Sequence, residues 1–217
     1  IGGETNQLTA LSKVSQILTN TTNAAQTATY SVSSILTNGC IGGNFTLLVT
    51  VNPLPIVTIN ATNTSLCAGE AVTLSGVGAQ TYTWDNGILD GVNFVPLNTK
   101  TYTVTGTDVN GCINNASQTI VVNPHPVVTL TSSTVDRCGT GSMTLSATSD
   151  FGTVKWYDLN AGGVLLGSGN NFTTPTIATN TSYYADALSS AGCYTLVRKQ
   201  VNIVIKEIPT VTSVENN

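Results

Sequence analysis

Tyr102-Thr-Val-Thr-Gly-Thr-Asp-Val-Asn-Gly-Cys112 is the stretch that decides the fold, because its pattern recurs along the chain. Its Thr and Val residues alternate in a way that is typical of a half-buried strand, and the Asn-Gly pair predicts a tight turn. The same ten-residue interval separates Tyr30 from Cys40 and Tyr183 from Cys193. Three occurrences at one interval indicate internal repeats.

A second pattern precedes the tyrosine in the last two repeats. Cys67-Ala-Gly leads to Val72-Thr-Leu-Ser, and Cys138-Gly-Thr-Gly leads to Met143-Thr-Leu-Ser. The 29 residues before Tyr30 contain no such front half.

The repeats divide the chain into four segments. We expect residues 1–53 to be the C-terminal part of an N-terminally truncated β-sandwich module, and residues 54–124 and 125–209 to be two immunoglobulin-like modules. Residues 210–217 would begin a linker or a further module. Pro124 and Pro126 stiffen the second junction, which predicts an elongated array.

Composition supports an all-β fold of tandem sandwiches. Charged residues make up only 8% of the 217 residues, and hydrophobic residues make up 41%. Those values argue against disorder, since the apolar fraction can form cores and the net charge is only −4. In residues 54–124 we expect strands at 56–60, 72–76, 81–84, 88–89, 93–97, 102–108 and 113–122.

The same composition excludes several classes of function. Seven basic residues and an acidic balance do not suit a nucleic-acid-binding protein, and we interpret the Arg198-Lys199 pair as a solvated strand face. No run of about 20 apolar residues predicts membrane insertion. Low charge and five cysteines favour an extracellular, oxidising setting, as expected of an internal fragment of a secreted chain.

Five aromatic residues fit positions of a sandwich core. Trp84 and Trp156 follow the first cysteine of their repeats by 17 and 18 residues, where a core tryptophan is expected. Tyr30, Tyr102 and Tyr183 begin the strand before each last cysteine and are also expected to be structural.

The pattern from Cys67 to Cys112 resembles the Ig-like and PKD-like repeats of large secreted surface proteins of gliding bacteria. Residues 125–209 are similar to a related Ig-like repeat, through Val154-Lys-Trp-Tyr-Asp and Tyr183-Tyr-Ala. Residues 1–53 resemble the second half of a PKD-like repeat, through Leu18-Thr-Asn-Thr-Thr.

That resemblance implies a non-catalytic stalk segment of a bacterial cell-surface adhesin, exported by the type 9 route and serving gliding motility or attachment. Its partners would be neighbouring modules of the same chain, with surface glycans or other adhesin subunits as further candidates. A spacer of a secreted hydrolase is one alternative. A carbohydrate-binding module is another, and for it Tyr157, Phe94 and Phe172 are the candidate platforms.

The five cysteines allow two disulfide schemes. Pairing within modules would join Cys67 to Cys112 and Cys138 to Cys193, with the partner of Cys40 outside the chain. However, strand counting places the first and last cysteine of one module at opposite poles, beyond the Cα separation of about 4.4–6.8 Å that a disulfide needs. The other scheme joins Cys67 to Cys193 across the junction.

Catalytic chemistry is not expected, and no cofactor is implied. His125 is the single histidine and lies between two linker prolines, a poor position for a general base. Calcium is retained as a weak metal candidate, because turn oxygens of Asp85, Asp90, Asp108 and Asn110 are of the type that Ca²⁺ prefers.

Overall fold

The computed structural model describes residues 16–35 and 39–210, and these residues form an all-β protein. The predicted segment 210–217 lies outside the described residues except for Thr210. Residues up to 123 form β1 (Gln26–Ile35), β2 (Ile41–Val51), β3 (Thr58–Ala61), β4 (Ser65–Cys67), β5 (Val72–Val77), β6 (Thr81–Trp84), β7 (Asn93–Phe94), β8 (Lys100–Thr107) and β9 (Ile113–Asn123).

Residues after 123 repeat the strands from β3 to β9 and add one further strand. They form β10 (Val128–Leu130), β11 (Thr134–Cys138), β12 (Thr144–Ser149), β13 (Thr153–Tyr157), β14 (Leu165–Ser168), β15 (Asn171–Thr173), β16 (Thr181–Leu188) and β17 (Lys199–Lys206).

Two compact units make up the molecule. One contains the described residues up to Thr64 together with 72–94 and 100–120, and the other contains 65–71, 95–99 and the described residues from 121. The short strand β4 therefore belongs to the second unit.

The sheets of the two repeats have the same strand order, except that β14 adds an edge strand beside β13 in the later repeat. The orders β3-β5-β7 and β4-β9-β8-β6 correspond to β10-β12-β15 and β11-β17-β16-β13-β14. In each repeat a short strand, β4 or β11, runs parallel to the end of the last strand. The strands β1 and β2 form an antiparallel pair of their own.

Alternation of Thr with apolar residues produces the cores. On β8 the side chains of Tyr102 and Val104 are buried, and on β5 those of Val72 and Leu74 are buried. These two strands belong to different sheets and supply the two layers of the core. In the second unit, twelve buried residues around Trp156 form one continuous cluster that includes Val201 and Ile203 of β17. Each cluster is the interior of a β-sandwich.

Three predicted features need correction. No strand forms at 88–89, because Asp85–Gly87 closes a 3₁₀ turn in which Asn86 has φ = 58°. The strand predicted at 93–97 is limited to Asn93–Phe94, and β4 is a strand that the sequence pattern did not predict. The strand predicted at 56–60 is β3. The strands predicted at 72–76, 81–84, 102–108 and 113–122 are confirmed to within two residues.

Two of the five predicted core aromatics are only half-buried. Trp84 lies on β6, the edge strand of its sheet, whereas Trp156 lies on β13 between β14 and β16 and is fully buried. Tyr30 lies in the two-stranded sheet, where its hydroxyl donates to Gln16 Oε1 at 2.7 Å. Tyr102 and Tyr183 are buried, with 5% and 6% of their surface exposed.

Candidate functional site

A disulfide between two turns is the most distinctive chemical feature of the second unit. Cys67 ends β4 and Cys193 lies in the turn between β16 and β17, and their sulfur atoms are bonded, with Cα atoms 5.7 Å apart. The bond closes a loop of 126 residues. The chain-entropy relation for a loop of that size gives about 5 kcal/mol of stabilisation.

Hydrogen bonds from backbone nitrogens hold both turns in addition to the disulfide. On the β4 side, Cys67 N donates to Glu70 Oε2 at 2.8 Å and Ala68 N donates to Asn123 O at 2.8 Å. On the other side, Cys193 N donates to Ser189 Oγ at 3.0 Å and Ser189 N donates to Cys193 O at 2.9 Å. The two sulfur atoms are therefore held by rigid supports.

The alternative pairing within modules does not form. Cys67 lies opposite Asn123, the last residue of β9, whereas Cys112 precedes its first residue. Eleven residues of extended strand span about 36 Å. Cys138 likewise lies opposite Lys206 at the end of β17, whereas Cys193 precedes the start of that strand.

The imidazole of His125 bridges the two turns beside the disulfide. Its Nδ1 lies 2.6 Å from Tyr194 O, and its Nε2 lies 2.9 Å from Ala68 O. Ala68 and Tyr194 directly follow the two bonded cysteines. Because carbonyl oxygens only accept, the ring makes both hydrogen bonds only when both nitrogens carry a proton.

A buried ion pair anchors the segment after Cys193. Asp186 accepts hydrogen bonds from the backbone and hydroxyl of Thr195, and Arg198 Nε lies 3.3 Å from Asp186 Oδ2. Arg198 also donates to Leu159 O and Gly162 O, at 2.7 and 2.6 Å.

The interpretation of Arg198 as part of a solvated strand face was wrong, since only 14% of its side chain is exposed. Its sequence position gave no sign of a buried partner twelve residues earlier.

The aromatic candidates for carbohydrate binding are occupied by internal contacts. Phe94 packs on Tyr102, and Phe172 packs on Tyr183, with ring centroids 5.2 and 5.4 Å apart and the rings inclined at 61°. The Arg198 guanidinium lies 3.4 Å from the centroid of the Tyr157 ring. Burial raises the pKa of the Tyr102 and Tyr183 hydroxyls above their ordinary value. These rings therefore serve as packing surfaces.

The carboxylates of the calcium candidates accept hydrogen bonds from the protein itself. Asp85 Oδ1 accepts from Thr103 N at 3.0 Å, and Asp90 Oδ1 accepts from Trp84 Nε1 at 2.9 Å. Asp108 Oδ1 accepts from the backbone nitrogens of Asn110 and Cys112, both at 2.8 Å.

Within residues 16–35 and 39–210, no three His, Cys, Asp or Glu side chains are grouped as a metal site. Calcium binding stays a prediction, and an unchanged melting temperature on adding EDTA would contradict it.

The family comparisons match both ends of the chain. Residues 125–206 match the model described as an Ig-like domain, CHU_C associated, and residues 1–55 match the model of a PKD-like domain. Each of the two models covers less than half of the chain. Domains of these kinds are typically non-catalytic structural modules. No curated protein matches the sequence.

Several solved structures have distant similarity to the chain. Fibronectin(III)-like modules of Clostridium thermocellum CbhA align at 16% identity over 75% of this chain and all of theirs, with a TM-score of 0.39. A Ca²⁺-stabilized adhesin that helps an Antarctic bacterium bind ice aligns at 17% identity over 85% of this chain and 58% of its own, with a TM-score of 0.40. The I67–I69 fragment of titin aligns at 13% identity over 72% and 67%, with a TM-score of 0.42.

The described residues contain no helix that is long and apolar enough to cross a membrane.

Proposed function

We propose that this chain is a non-catalytic, load-bearing segment in the stalk of a bacterial cell-surface adhesin, where it supports gliding motility or surface attachment. The observation that carries the proposal is the covalent bond between Cys67 and Cys193. In this proposal residues 1–53, 54–124 and 125–209 are successive modules of a longer extracellular chain exported by the type 9 route.

The position of the disulfide suits a chain under tension. A pull on the ends of the polypeptide enters the second unit at Cys67, crosses the sulfur–sulfur bond and leaves through the strand that follows Cys193. Residues 68–192 lie inside the closed loop and are not stretched while the bond is intact. A disulfide placed for stability alone has no need to exclude most of two repeats from the load.

The supports around the disulfide also suit this role. His125 holds the backbone directly after each bonded cysteine, at 2.6 and 2.9 Å. The Asp186–Arg198 pair ties the segment after Cys193 to the sheet of the Ig-like domain. Force that crosses the disulfide therefore passes into a hydrogen-bonded sheet and not into a loose loop.

Two experiments on cells that produce the chain test the proposal. Antibodies to residues 125–209 should label intact cells, and external protease should remove the label. Detection only after lysis would contradict the surface location.

The second experiment compares attachment under flow. A strain carrying Cys67→Ser and Cys193→Ser should display the protein in normal amount but detach at lower shear than the parent. Leu196→Ala is the matched control, because Leu196 is exposed and takes no part in the disulfide. Equal detachment of all three strains would contradict a load-bearing role.

A further inference from the structure

The cysteine at the end of β11 occupies the same structural position as bonded Cys67. Cys67 lies opposite Asn123, the last residue of β9, in a parallel pair, and Cys138 lies opposite Lys206, the last residue of β17, in another. The next backbone nitrogen donates to that last residue in both cases, from Ala68 at 2.8 Å and from Gly139 at 2.9 Å. Cys138 is exposed and not disulfide-bonded.

The turn that carries the partner cysteine is likewise formed twice. In the Cys193 turn, Gly192 N donates to Ser189 O at 3.1 Å and the φ angle of Gly192 is 86°. In the Cys112 turn, Gly111 N donates to Asp108 O at 3.1 Å and the φ angle of Gly111 is 79°. Cys193 N donates to Ser189 Oγ at 3.0 Å, and Cys112 N donates to Asp108 Oδ1 at 2.8 Å, so the acceptor lies four residues before the cysteine in both turns.

The segment after each last strand also keeps its register. Asn123-Pro-His-Pro-Val-Val-Thr129 aligns without gaps with Lys206-Glu-Ile-Pro-Thr-Val-Thr212, which places Ile208 at the position of His125. His125 reaches Ala68, the residue after Cys67. Ile208 lies against Gly139, the residue after Cys138, so closely that a Cβ there would come within 2.6 Å of Ile208 Cδ1.

We propose that Cys138 forms a disulfide with the Gly-Cys turn of a β-sandwich module that directly follows this one in the array. The proposal rests on the proposed function, since it needs a further module. The structure forms this linkage once, at Cys67, and reproduces one half of it at Cys138 in strand pairing, backbone hydrogen bond and linker register. The partner is therefore a turn of the kind that Cys112 and Cys193 occupy.

Formation of the bond is a two-electron oxidation. The two thiols lose two protons and two electrons, and a small-molecule disulfide such as oxidised glutathione accepts them and becomes two thiols.

A chain extended by a second copy of the last module tests the proposal. Ile208 is joined to a second copy of residues 126–217, so that the Pro126 of the copy takes the place of Pro209. In the copy, Cys138→Ser removes its own thiol and Tyr194→Phe serves as a mass label. The protein is oxidised with glutathione, alkylated, and digested with trypsin without reduction.

We expect the labelled peptide 156–198 of the second copy to be joined through its Cys193 to peptide 138–155 of the first copy. The unlabelled peptide 156–198 of the first copy should be joined to the peptide that contains Cys67. As the control, Cys138→Ser in the first copy should abolish only the labelled crosslink. An alkylated Cys138, or Cys138 bonded to Cys112 or Cys40, would overturn the inference. It would leave the proposed function in place if Cys67–Cys193 is intact, whereas absence of both linkages would overturn both.

A second arm does not depend on folding of the added copy. The same peptide map is made of the polypeptide containing this sequence as its cells export it. Cys138 bonded to a Gly-Cys turn further along the chain supports the proposal, and a free Cys138 overturns it.

Discussion

Trp84 and Trp156 are equivalent residues with different surroundings. The Trp156 indole stacks on Phe172 with centroids 5.7 Å apart and donates to Gly169 O at 3.0 Å. The Trp84 indole donates to a carboxylate, Asp90 Oδ1, at 2.9 Å and remains half-exposed. Sequence spacing predicts the position of both residues but not this difference, because burial depends on whether a further strand pairs beside them.

Truncation of the two tryptophans should therefore have unequal effects. Trp156→Ala should lower the free energy of unfolding by about 3–5 kcal/mol, since it leaves a cavity and an unpaired carbonyl. Trp84→Ala should cost only about 1–2 kcal/mol, because water already covers part of the ring. Calorimetric unfolding of both variants measures the difference. Equal losses would contradict the assigned burial.

Asp150 should make one repeat sensitive to acid. Hydrogen bonds from the backbone of Val127 and Phe151, at 2.8 and 2.9 Å, hold the pKa of the Asp150 carboxyl below its ordinary value. A lowered pKa in the folded state means that the stabilisation is complete above the unfolded pKa, about 3.9, and is lost as pH falls below it.

The melting temperature of the parent should thus approach that of Asp150→Asn as pH falls from 5 towards about 2. The check is a series of thermal scans of both proteins. A gap that stays constant over that range would show that Asp150 does not contribute through its charge.

At the scale of elements, the alternating strands were predictable and the short parallel strands were not. The Thr-Val alternation of β8 and β9 indicates strands directly. In contrast, β4 has only three residues, and its partner on β9 lies more than 50 residues away in sequence. No local pattern encodes such a pairing.

The disulfide could be predicted only as one of two open pairings, with strand direction favouring Cys67–Cys193. The His125 bridge could not, since a histidine between prolines carries no signal of its two carbonyl partners. Leu54 holds the corresponding linker position in the earlier junction, Asn52-Pro-Leu-Pro55, which aligns with Asn123-Pro-His-Pro126.

Replacement of the bridging ring by that natural alternative tests the role of the linker element. At a pH where both ring nitrogens carry a proton, His125→Leu should lower the free energy of unfolding by about 1–3 kcal/mol through loss of two hydrogen bonds. It should also speed reduction of Cys67–Cys193 by dithiothreitol several-fold, because the backbone beside both cysteines is released. Leu196→Ala, at a neighbouring residue that is 79% exposed, is the control. Identical reduction rates in all three proteins would contradict the bridge.

At the scale of the whole molecule, the proposed path of force depends on which cysteines are joined. The chain consists of repeats joined by short linkers, and Cys67–Cys193 adds a covalent bypass to them. The sequence indicates the repeats, but only the register of β4 on β9 and the Cys193 turn shows which ends meet.

Pulling a single molecule by its two ends tests that bypass most directly. With the disulfide intact, the unfolded contour should be shorter by about 430 Å than after reduction, since the 126-residue loop stays closed and each extended residue adds about 3.4 Å. Cys67→Ser should show the long contour without reductant, and Cys138→Ser should behave as the parent. The same contour length before and after reduction would contradict a load-bearing Cys67–Cys193 linkage.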